Sequence, residues 1–329
     1  MKRYYPSDLL GSRIIGAVLV IAFSLTFLSC SGESVIRDSR IAMGTAVTLT
    51  FYNKKDAALS DGAFSIIYDI ENKISFHDSE SYISRINSSA GLSPVAVPEK
   101  LFALIDKSIA ISEESGGAFN PLMGAVTSLW NIGGDNARVP DKEEISEAIL
   151  CLNTDDIVLD EEKSTVYLKK KGMKLDLGGI GKGFCADEIR DYLASNGVSS
   201  AIINLGGNVY ALGRKPDGRE FRIGIVNPDG GAYISEVDVA DKAVVTSGAY
   251  ERFSDIDGIR YHHIFSSSGY PSDSDLLSAT IISSDSVYAD ALSTAVFVSG
   301  SASAAHLSEK YNVGIITYSK DHEVRSYGL

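Results

Sequence analysis

An aspartate and a threonine near the C-terminal end of the chain have the spacing to bind a metal ion together. Asp290 and Thr294 fall within Asp285 to Gly300, a stretch that predicts a helix, so both side chains would project from one helical face. A carboxylate and a hydroxyl are hard oxygen donors that suit Mg²⁺, which keeps positions open for water and phosphate oxygens. Taken alone, such a pair is more often a capped or solvated helix face. The pair becomes a candidate metal site only if another segment that can contact a phosphate or a metal ion lies beside it.

A glycine-rich stretch from Met173 to Asn208 is the segment best suited to contact a phosphate. It predicts a strand ending at Asp176, a turn with four glycines between 178 and 183, a helix from about Lys182 to Asn196, and a second strand, Ala201 to Leu205. Glycines let the backbone approach a phosphate closely, and a helix N-terminus presents unpaired N–H groups to an anion. The lysine at the start of the helix adds a positive charge. The alternative is a tight turn with no ligand.

Known phosphate-binding loops match this turn poorly. In a P-loop the lysine precedes Ser or Thr, whereas Lys182 precedes Gly183. Gly181, Gly183 and Ala186 satisfy a G-x-G-x-x-A pattern, but Asn204 stands in the next strand where a dinucleotide fold has an acidic residue. Neither of these loops is therefore predicted.

Five short segments follow one another in the order and rough spacing of a known enzyme family. They are DLGGIGKGFCAD, NLGGN, TSGAYER, HHI and ADALSTA. Through them the chain resembles the ApbE-like FAD:protein FMN transferases from Met43 to Gly300. The resemblance implies an α+β (mixed α/β) fold: one large ApbE-like, T-fold-like domain over 41–329, with mixed sheets flanked by helices and the site between two lobes. It also implies an Mg²⁺-dependent reaction that moves FMN from FAD to a threonine hydroxyl of an exported acceptor protein and releases AMP.

The same resemblance implies a metal site and a flavin site. The metal ligands would be Asp290, Thr294 and the backbone carbonyl of Gly179, while Ser293 stands where some members have an aspartate ligand. The implied FAD contacts are Met43, His77, Ala118, Phe119, Asn120, Asp176, Lys182 and Ile264. Two of these positions depart from the pattern of the family, because His77 replaces the more usual tyrosine and Asn120 replaces a common aspartate.

Two adjacent histidines, His262 and His263, supply candidates for proton transfer. Neighbours on a strand point to opposite faces, so one ring can enter a cleft while the other faces solvent or core. The resemblance favours His263 as the active-site member, with Asp290 as a second candidate for the base. A histidine near its reference pKa of about 6.5 suits proton removal at neutral pH.

The N-terminal residues predict export and a lipid anchor. Basic residues precede an apolar run, Ile14 to Leu28, which ends just before Cys30. We expect a lipoprotein signal peptide over 1–29, lipidation of Cys30, a tether over 30–40, and a protein anchored to the inner membrane and facing the periplasm. The alternative is a membrane-spanning anchor, although the run is shorter than the roughly 20 residues that a spanning helix needs.

Charge and cysteine content limit other functions. A formal net charge of −13 makes nucleic acid an unsuitable partner, since its phosphates would be repelled. Beyond Cys30 the chain has Cys151 and Cys185, for which we expect two buried thiols, with a disulfide between them as the alternative. Their spacing does not match a zinc site.

Two other functions remain open from the sequence. If water replaces the threonine hydroxyl, the same site gives an Mg²⁺-dependent FAD pyrophosphatase that releases FMN and AMP. A lipoprotein that only binds FAD, without turnover, is the other alternative, and metal ligands such as Asp290 and Thr294 argue against it because a simple binder has little need of them.

Overall fold

Antiparallel β-structure organises the part of the chain that this computed structural model describes, residues 35–329. The strands are β1 (Ile36–Ala42), β2 (Thr45–Phe51), β3 (Val95–Ala96), β4 (Ile157–Asp160), β5 (Thr165–Leu168), β6 (Ser200–Leu205), β7 (Asn208–Gly213), β8 (Phe221–Val226), β9 (Tyr233–Val239), β10 (Lys242–Gly248), β11 (Phe253–Ile256), β12 (Ile259–His262), β13 (Leu276–Ser283), β14 (Gly314–Ser319) and β15 (Val324–Tyr327).

The α-helices of residues 35–329 connect these strands. They are α1 (Ser60–Ile74), α2 (Tyr82–Ser88), α3 (Glu99–Glu114), α4 (Gly124–Trp130), α5 (Lys142–Ile149), α6 (Gly181–Ser195), α7 (Ser286–Ser299) and α8 (Ala304–Tyr311). Short 3₁₀ helices cover Lys54–Leu59, Thr154–Asp156 and Ser301–Ser303.

The largest sheet has eight strands in the order β1-β2-β6-β7-β10-β13-β14-β15. Every neighbouring pair in it is antiparallel. Three smaller sheets have the orders β3-β5-β4, β8-β9 and β11-β12. Helices and antiparallel sheets in one chain are the α+β architecture that the sequence predicted.

Helices α6 and α7 lie side by side against the centre of the large sheet. Helix α6 packs on β6 and β7, and α7 packs on β10 and β13. The two helices come unusually close at Gly183, where a Cβ atom would lie only 2.2 Å from the backbone oxygen of Ser286. Glycine is therefore required at this position. The contact places the first turn of α6 beside the first turns of α7.

The opposite face of the sheet is covered by the β8–β9 hairpin. A separate apolar cluster fills this interface, and its buried members are Ala211, Phe221, Ile225, Val239, Val244, Ile282 and Ile316. The main core lies on the helical side and continues without a break into the region that contains α2 to α5 and β3 to β5. Residues 35–329 form one compact unit. The helical side of the large sheet and the region that contains α2 to α5 and β3 to β5 share one core, although the sequence led us to expect two lobes.

The predicted strand ending at Asp176 is wrong. Residues 173–177 are irregular because side chains and loop carbonyls take the hydrogen bonds that a neighbouring strand would make. Oδ1 of Asn87 accepts a hydrogen bond from the N–H of Leu175 at 2.7 Å, and Nδ2 of Asn87 donates to the carbonyl oxygen of Leu175 at 2.9 Å. The N–H of Asp176 donates to the carbonyl of Pro121 at 2.7 Å. The glycine turn therefore follows a buried loop rather than a strand.

The structure also bears on the predictions for the N-terminal tether, the membrane anchor and the cysteines. Strand β1 begins at Ile36, so the folded region starts before the expected end of the tether at residue 40. The predicted signal peptide and Cys30 lie outside the described residues. Within residues 35–329, we find no helix with the length and apolar character needed to span a bilayer.

Cys185 is buried and Cys151 is half-buried, and both are free thiols, so they form no disulfide with each other.

Candidate active site

Asp290 lies on α7 with only 3% of its surface exposed, and both of its carboxylate oxygens are held. Oδ2 accepts a hydrogen bond from the backbone N–H of Gly183 at 2.8 Å, and Oδ1 accepts one from Nδ2 of Asn208 at 2.8 Å. Because Gly183 lies in the first turn of α6, the carboxylate also faces the positive end of that helix dipole. The predicted meeting of the glycine bend at 178–183 with the helix of Asp290 is confirmed.

The hydroxyl of Thr294 faces the same bend. A Cβ atom on Gly179 would lie 3.7 Å from Oγ1 of Thr294 and 3.3 Å from the ring of Phe119. Two serine hydroxyls extend this polar group, since Oγ of Ser247 is 2.7 Å from Oγ of Ser293 and 3.3 Å from Oγ1 of Thr294. A carboxylate and several hydroxyl groups thus converge where α7 meets the glycine bend.

Ser293 belongs to this polar group and also bonds its own helix. Its hydroxyl donates to the backbone carbonyl of Asp290 at 2.7 Å, and the residue is fully buried. At the position where the resemblance implies an aspartate ligand in some members, this chain has a side chain that bonds its own helix. Ser293 therefore supports α7 and the hydroxyl of Ser247.

The oxygen donors at this place fit a hard divalent cation. The carboxylate of Asp290 is buried, and its one ion pair within residues 35–329 is with Nζ of Lys182 at 3.7 Å. A buried carboxylate so loosely paired is costly unless another positive charge approaches it. The described residues hold no group of three or more His, Cys, Asp or Glu side chains arranged to bind a metal. The carboxylate of Asp290 and the hydroxyl of Thr294 are hard oxygen donors, and with the carbonyl of Gly179 that the resemblance implies they would make a set that suits Mg²⁺ with its remaining positions open.

His262 and His263 have different hydrogen-bond partners. Nε2 of His262 lies 3.1 Å from the carbonyl oxygen of Ser272, and Nδ1 accepts from the N–H of Ile264 at 3.2 Å. Both nitrogens of His262 are therefore engaged by the backbone. Nδ1 of His263 lies 3.0 Å from the carbonyl oxygen of Arg252, and because a carbonyl only accepts, Nδ1 must carry the proton. In neutral His263, Nε2 keeps the lone pair that a base needs.

Burial changes the basicity that the sequence predicted for His263. Desolvation lowers the pKa of the His263 imidazole to about 4, although its bond to the carbonyl of Arg252 opposes the change. The expectation of a pKa near the reference value is therefore wrong for the protein without ligand. At neutral pH the ring is uncharged and able to accept a proton, but it is a weaker base than an exposed histidine.

Glu251 is a polar residue of the site that the sequence interpretation did not single out. Desolvation in this crowded region raises the pKa of its carboxyl to about 7, although the side chain still reaches solvent. Lys182 opposes this rise and the charge of Asp290 adds to it, so the three groups share one electrostatic environment. Glu251 and Ser247 both belong to TSGAYER, a segment that identified the family without revealing what its polar members do.

Four of the expected flavin contacts border the glycine bend. Met43, at the tip of the β1–β2 hairpin, places Cε 3.7 Å from where a Cβ of Gly181 would lie, and its φ of 53° is a left-handed conformation. Phe119 packs against Gly179. Asp176 accepts the N–H of Gly178 on Oδ1 at 2.9 Å, and Lys182 lies in the first turn of α6.

Of the other four expected contacts, Asn120 and Ile264 are engaged within the protein, whereas His77 and Ala118 are at least partly exposed. Asn120 donates from Nδ2 to the carbonyl of Leu152 at 2.8 Å and accepts the N–H of Leu122 on Oδ1 at 2.8 Å. Ile264 is 5% exposed and lies in the core. His77 is exposed beside Phe76, with ring centroids 5.4 Å apart, and Ala118 is half-buried next to Phe119. Asn120 therefore shapes its loop, and Ile264 shapes the core under the two histidines.

The fold and site define an α+β protein with an antiparallel sheet and a site lined by a buried carboxylate and hydroxyl groups. A model of the ApbE family matches residues 43–317. The chain belongs to the ApbE family, as its five segments predicted.

Similar proteins cover nearly the whole chain. The FAD:protein FMN transferase of Treponema pallidum (strain Nichols) is 39% identical in an alignment of 322 residues, and the match covers 91% of this chain and 89% of that protein. The FAD:protein FMN transferase of Klebsiella pneumoniae (strain 342) is 37% identical in an alignment of 298 residues, and the match covers 89% of this chain and 92% of that protein. The crystal structure of the ApbE protein of Thermotoga maritima MSB8 is similar with a TM-score of 0.84 and 32% identity, and the match covers 89% and 97% of the two chains. The apo flavinyl transferase ApbE of Pseudomonas stutzeri gives a TM-score of 0.79 and 27% identity, with 89% and 95% covered.

Proposed function

We propose that this chain is an Mg²⁺-dependent FAD:protein FMN transferase. The observation that carries the proposal is the convergence of Asp290 and Thr294 on the glycine bend, with the carboxylate bound to the N–H of Gly183 at 2.8 Å. The two relatives that are 39% and 37% identical over most of the chain are both named for this activity. A site built from hard oxygens, a lysine and the first turn of a helix suits a diphosphate better than an uncharged ligand.

The residues of the bend would bind and orient the diphosphate of FAD. Asp290, Thr294 and the carbonyl of Gly179 would hold Mg²⁺, which when bound supplies positive charge to the diphosphate. Lys182, whose Nζ is 3.7 Å from Asp290, adds a second positive charge on the same side. In phosphoryl transfer, positioning and electrostatics of this kind provide most of the rate enhancement.

The reaction breaks the phosphoanhydride bond of FAD and forms a phosphoester bond. The hydroxyl oxygen of an acceptor threonine attacks the FMN phosphorus, the bond from that phosphorus to the bridging oxygen breaks, and AMP leaves with the bridging oxygen. The threonine proton passes to a base, for which His263 is suited because Nε2 is free while Nδ1 is held by the carbonyl of Arg252. A diphosphate bound nearby adds negative charge, which raises the pKa of the imidazole toward the working pH.

The acceptor in this proposal is an exported flavoprotein. The predicted signal peptide and the expected lipidation of Cys30 would anchor the enzyme to the inner membrane, facing the periplasm, where such an acceptor would meet it. Mass spectrometry of the mature N-terminus tests this part separately, since a diacylglyceryl group on Cys30 is expected and an unmodified residue would contradict it.

The transfer itself is tested by incubating the protein with FAD and Mg²⁺, with and without a threonine-containing exported acceptor. Transfer predicts AMP release that depends on the acceptor, together with a phosphoester-linked FMN on the acceptor threonine. Rapid AMP and FMN release without acceptor would identify the pyrophosphatase instead. FAD binding without any AMP would identify a protein that only binds the nucleotide.

A further inference from the structure

The NLGGN segment places an asparagine side chain directly against Asp290. Its last residue, Asn208, is the first residue of β7 and is 3% exposed. The turn before it consists of Gly206 and Gly207, whose φ values of 61° and 101° suit the two-residue hairpin turns that require glycine. A Cβ on Gly206 would lie 2.2 Å from Oγ1 of Thr45, so this turn also packs tightly against β2.

The hairpin fixes where Asn208 stands. Asn204 accepts the N–H of Gly207 on Oδ1 at 2.9 Å and closes the turn, and Leu205 pairs with Asn208 across it. Strand β6 is held in turn by β2, with Val47 opposite Leu205. The pairing of β2, β6 and β7 therefore fixes the position of Asn208 independently of its contact with α7.

Asn208 and Gly183 hold the two oxygens of Asp290 from different elements. Nδ2 of Asn208 donates to Oδ1, and the N–H of Gly183 donates to Oδ2, both at 2.8 Å. A carboxylate bonded at both oxygens cannot rotate about its Cβ–Cγ bond without losing one of the two bonds. Each oxygen accepts one of these bonds and keeps further acceptor capacity for a ligand.

We infer that Asn208 is a positioning residue, whose amide sets the orientation of the carboxylate with which Asp290 would hold a divalent cation. The inference rests on the proposed function, and it gives the NLGGN segment a role that family membership alone does not supply. Groups that orient a metal-ligating side chain typically contribute 10–100-fold to metal affinity. Asn208 acts through Asp290 and needs no contact with substrate.

The test measures binding of Mn²⁺ alone, as a probe for the divalent site, by electron paramagnetic resonance of the free ion in titrations of the full chain. Asn208→Leu removes the donor and keeps the approximate size, and we expect it to weaken Mn²⁺ binding by about 10–100-fold. Asn208→Ser is a second, smaller replacement with the same expected direction, should the leucine disturb folding. Asn196→Leu is the matched control: it removes an amide that bonds the carbonyl of Tyr192 at 2.8 Å at the C-terminal end of α6 and does not contact Asp290, and it should leave the Mn²⁺ affinity within about 3-fold of the parent.

Each outcome of this titration either supports or overturns the positioning role of Asn208. Unchanged Mn²⁺ affinity in both Asn208 variants would overturn the inference, and so would an equal loss in Asn196→Leu, because the effect would then not depend on the contact with Asp290. Absence of Mn²⁺ binding by the parent protein would overturn the metal site and the inference with it. Normal Mn²⁺ binding and the expected loss in the Asn208 variants, without any flavin transfer by the parent, would support the inference and overturn only the proposed reaction.

Discussion

Oδ2 of Asp290 accepts a hydrogen bond at 2.8 Å from the N–H of Gly183, a residue 107 positions earlier in the chain. This bond joins the first turn of α6 to the second turn of α7. It satisfies an N–H group that the start of a helix leaves without an intrahelical partner. The same carboxylate is thus a structural cap for α6 and the main oxygen ligand of the proposed cation site, and variants must separate these two roles.

Asp290→Asn separates charge from shape. The amide oxygen can still accept from Gly183, so the fold should persist, while the negative charge that holds the cation is lost. We expect AMP release from FAD to fall by at least about 100-fold, comparable to losing a major electrostatic group from an active site. Chromatographic measurement of AMP, with thermal unfolding as the control for folding, checks this. Turnover within about 3-fold of the parent would remove Asp290 from the metal site.

Thr294→Val removes one hydroxyl with little change in volume. If Thr294 is a ligand, the concentration of Mg²⁺ needed for half-maximal AMP release should rise by about 10-fold or more. Thr246→Val is the matched control, because the hydroxyl of Thr246 bonds Thr280 within the sheet at 2.8 Å. The control should keep the Mg²⁺ requirement of the parent. An equal shift in both variants would argue for a general effect on the sheet.

Gly183→Ala tests the close contact of the two helices. The added Cβ would lie 2.2 Å from the backbone oxygen of Ser286, which cannot move away without shifting α7. We expect a loss of about 1–3 kcal/mol in the free energy of unfolding, measured in urea, as for overpacked cores. In Gly62→Ala, another helical glycine, the new Cβ meets only the end of the Tyr192 side chain, which can move. That variant should be neutral or slightly stabilised, since alanine is the better helix former.

The pKa of His263 predicts a pH dependence of stability. Its pKa is about 4 in the folded protein and near 6.5 when unfolded, so between these values the unfolded state binds more protons. The stability linked to His263 is complete above pH 6.5 and is lost as the pH falls toward 4. His263→Gln should therefore show a smaller fall in the free energy of unfolding over this range. His306→Gln, at an exposed site, should follow the parent, and a slope in His263→Gln equal to the parent would contradict the assignment.

Much of the site could be predicted from the sequence because its parts are local. The spacing of Asp290 and Thr294 gave their helical face, and the glycines gave the bend before α6. The loop before Asp176 could not be predicted, because its backbone bonds go to Asn87 and Pro121, which are distant in the chain. Local patterns carry no information about such partners.

Other features of the site depend on tertiary contacts in the same way. The contact of Asn208 with Asp290 follows from strand pairing across β2, β6 and β7, which the sequence pattern did not specify. The lowered pKa of His263 follows from burial, and composition does not predict which histidine is buried. In both cases the residue types pointed to polar chemistry, while their roles required the positions of neighbours.

The central proposal is that the cation site at Asp290 and Thr294 serves the transfer of FMN to a protein. Its most direct test is intact-protein and peptide mass spectrometry of an exported acceptor after incubation with the enzyme, FAD and Mg²⁺, with parallel samples containing a chelator or Asp290→Asn. We expect one FMN phosphoester on an acceptor threonine in the complete reaction and none in the parallel samples. An acceptor that stays unmodified while FAD is hydrolysed, or that is modified equally in the presence of chelator, would contradict the account.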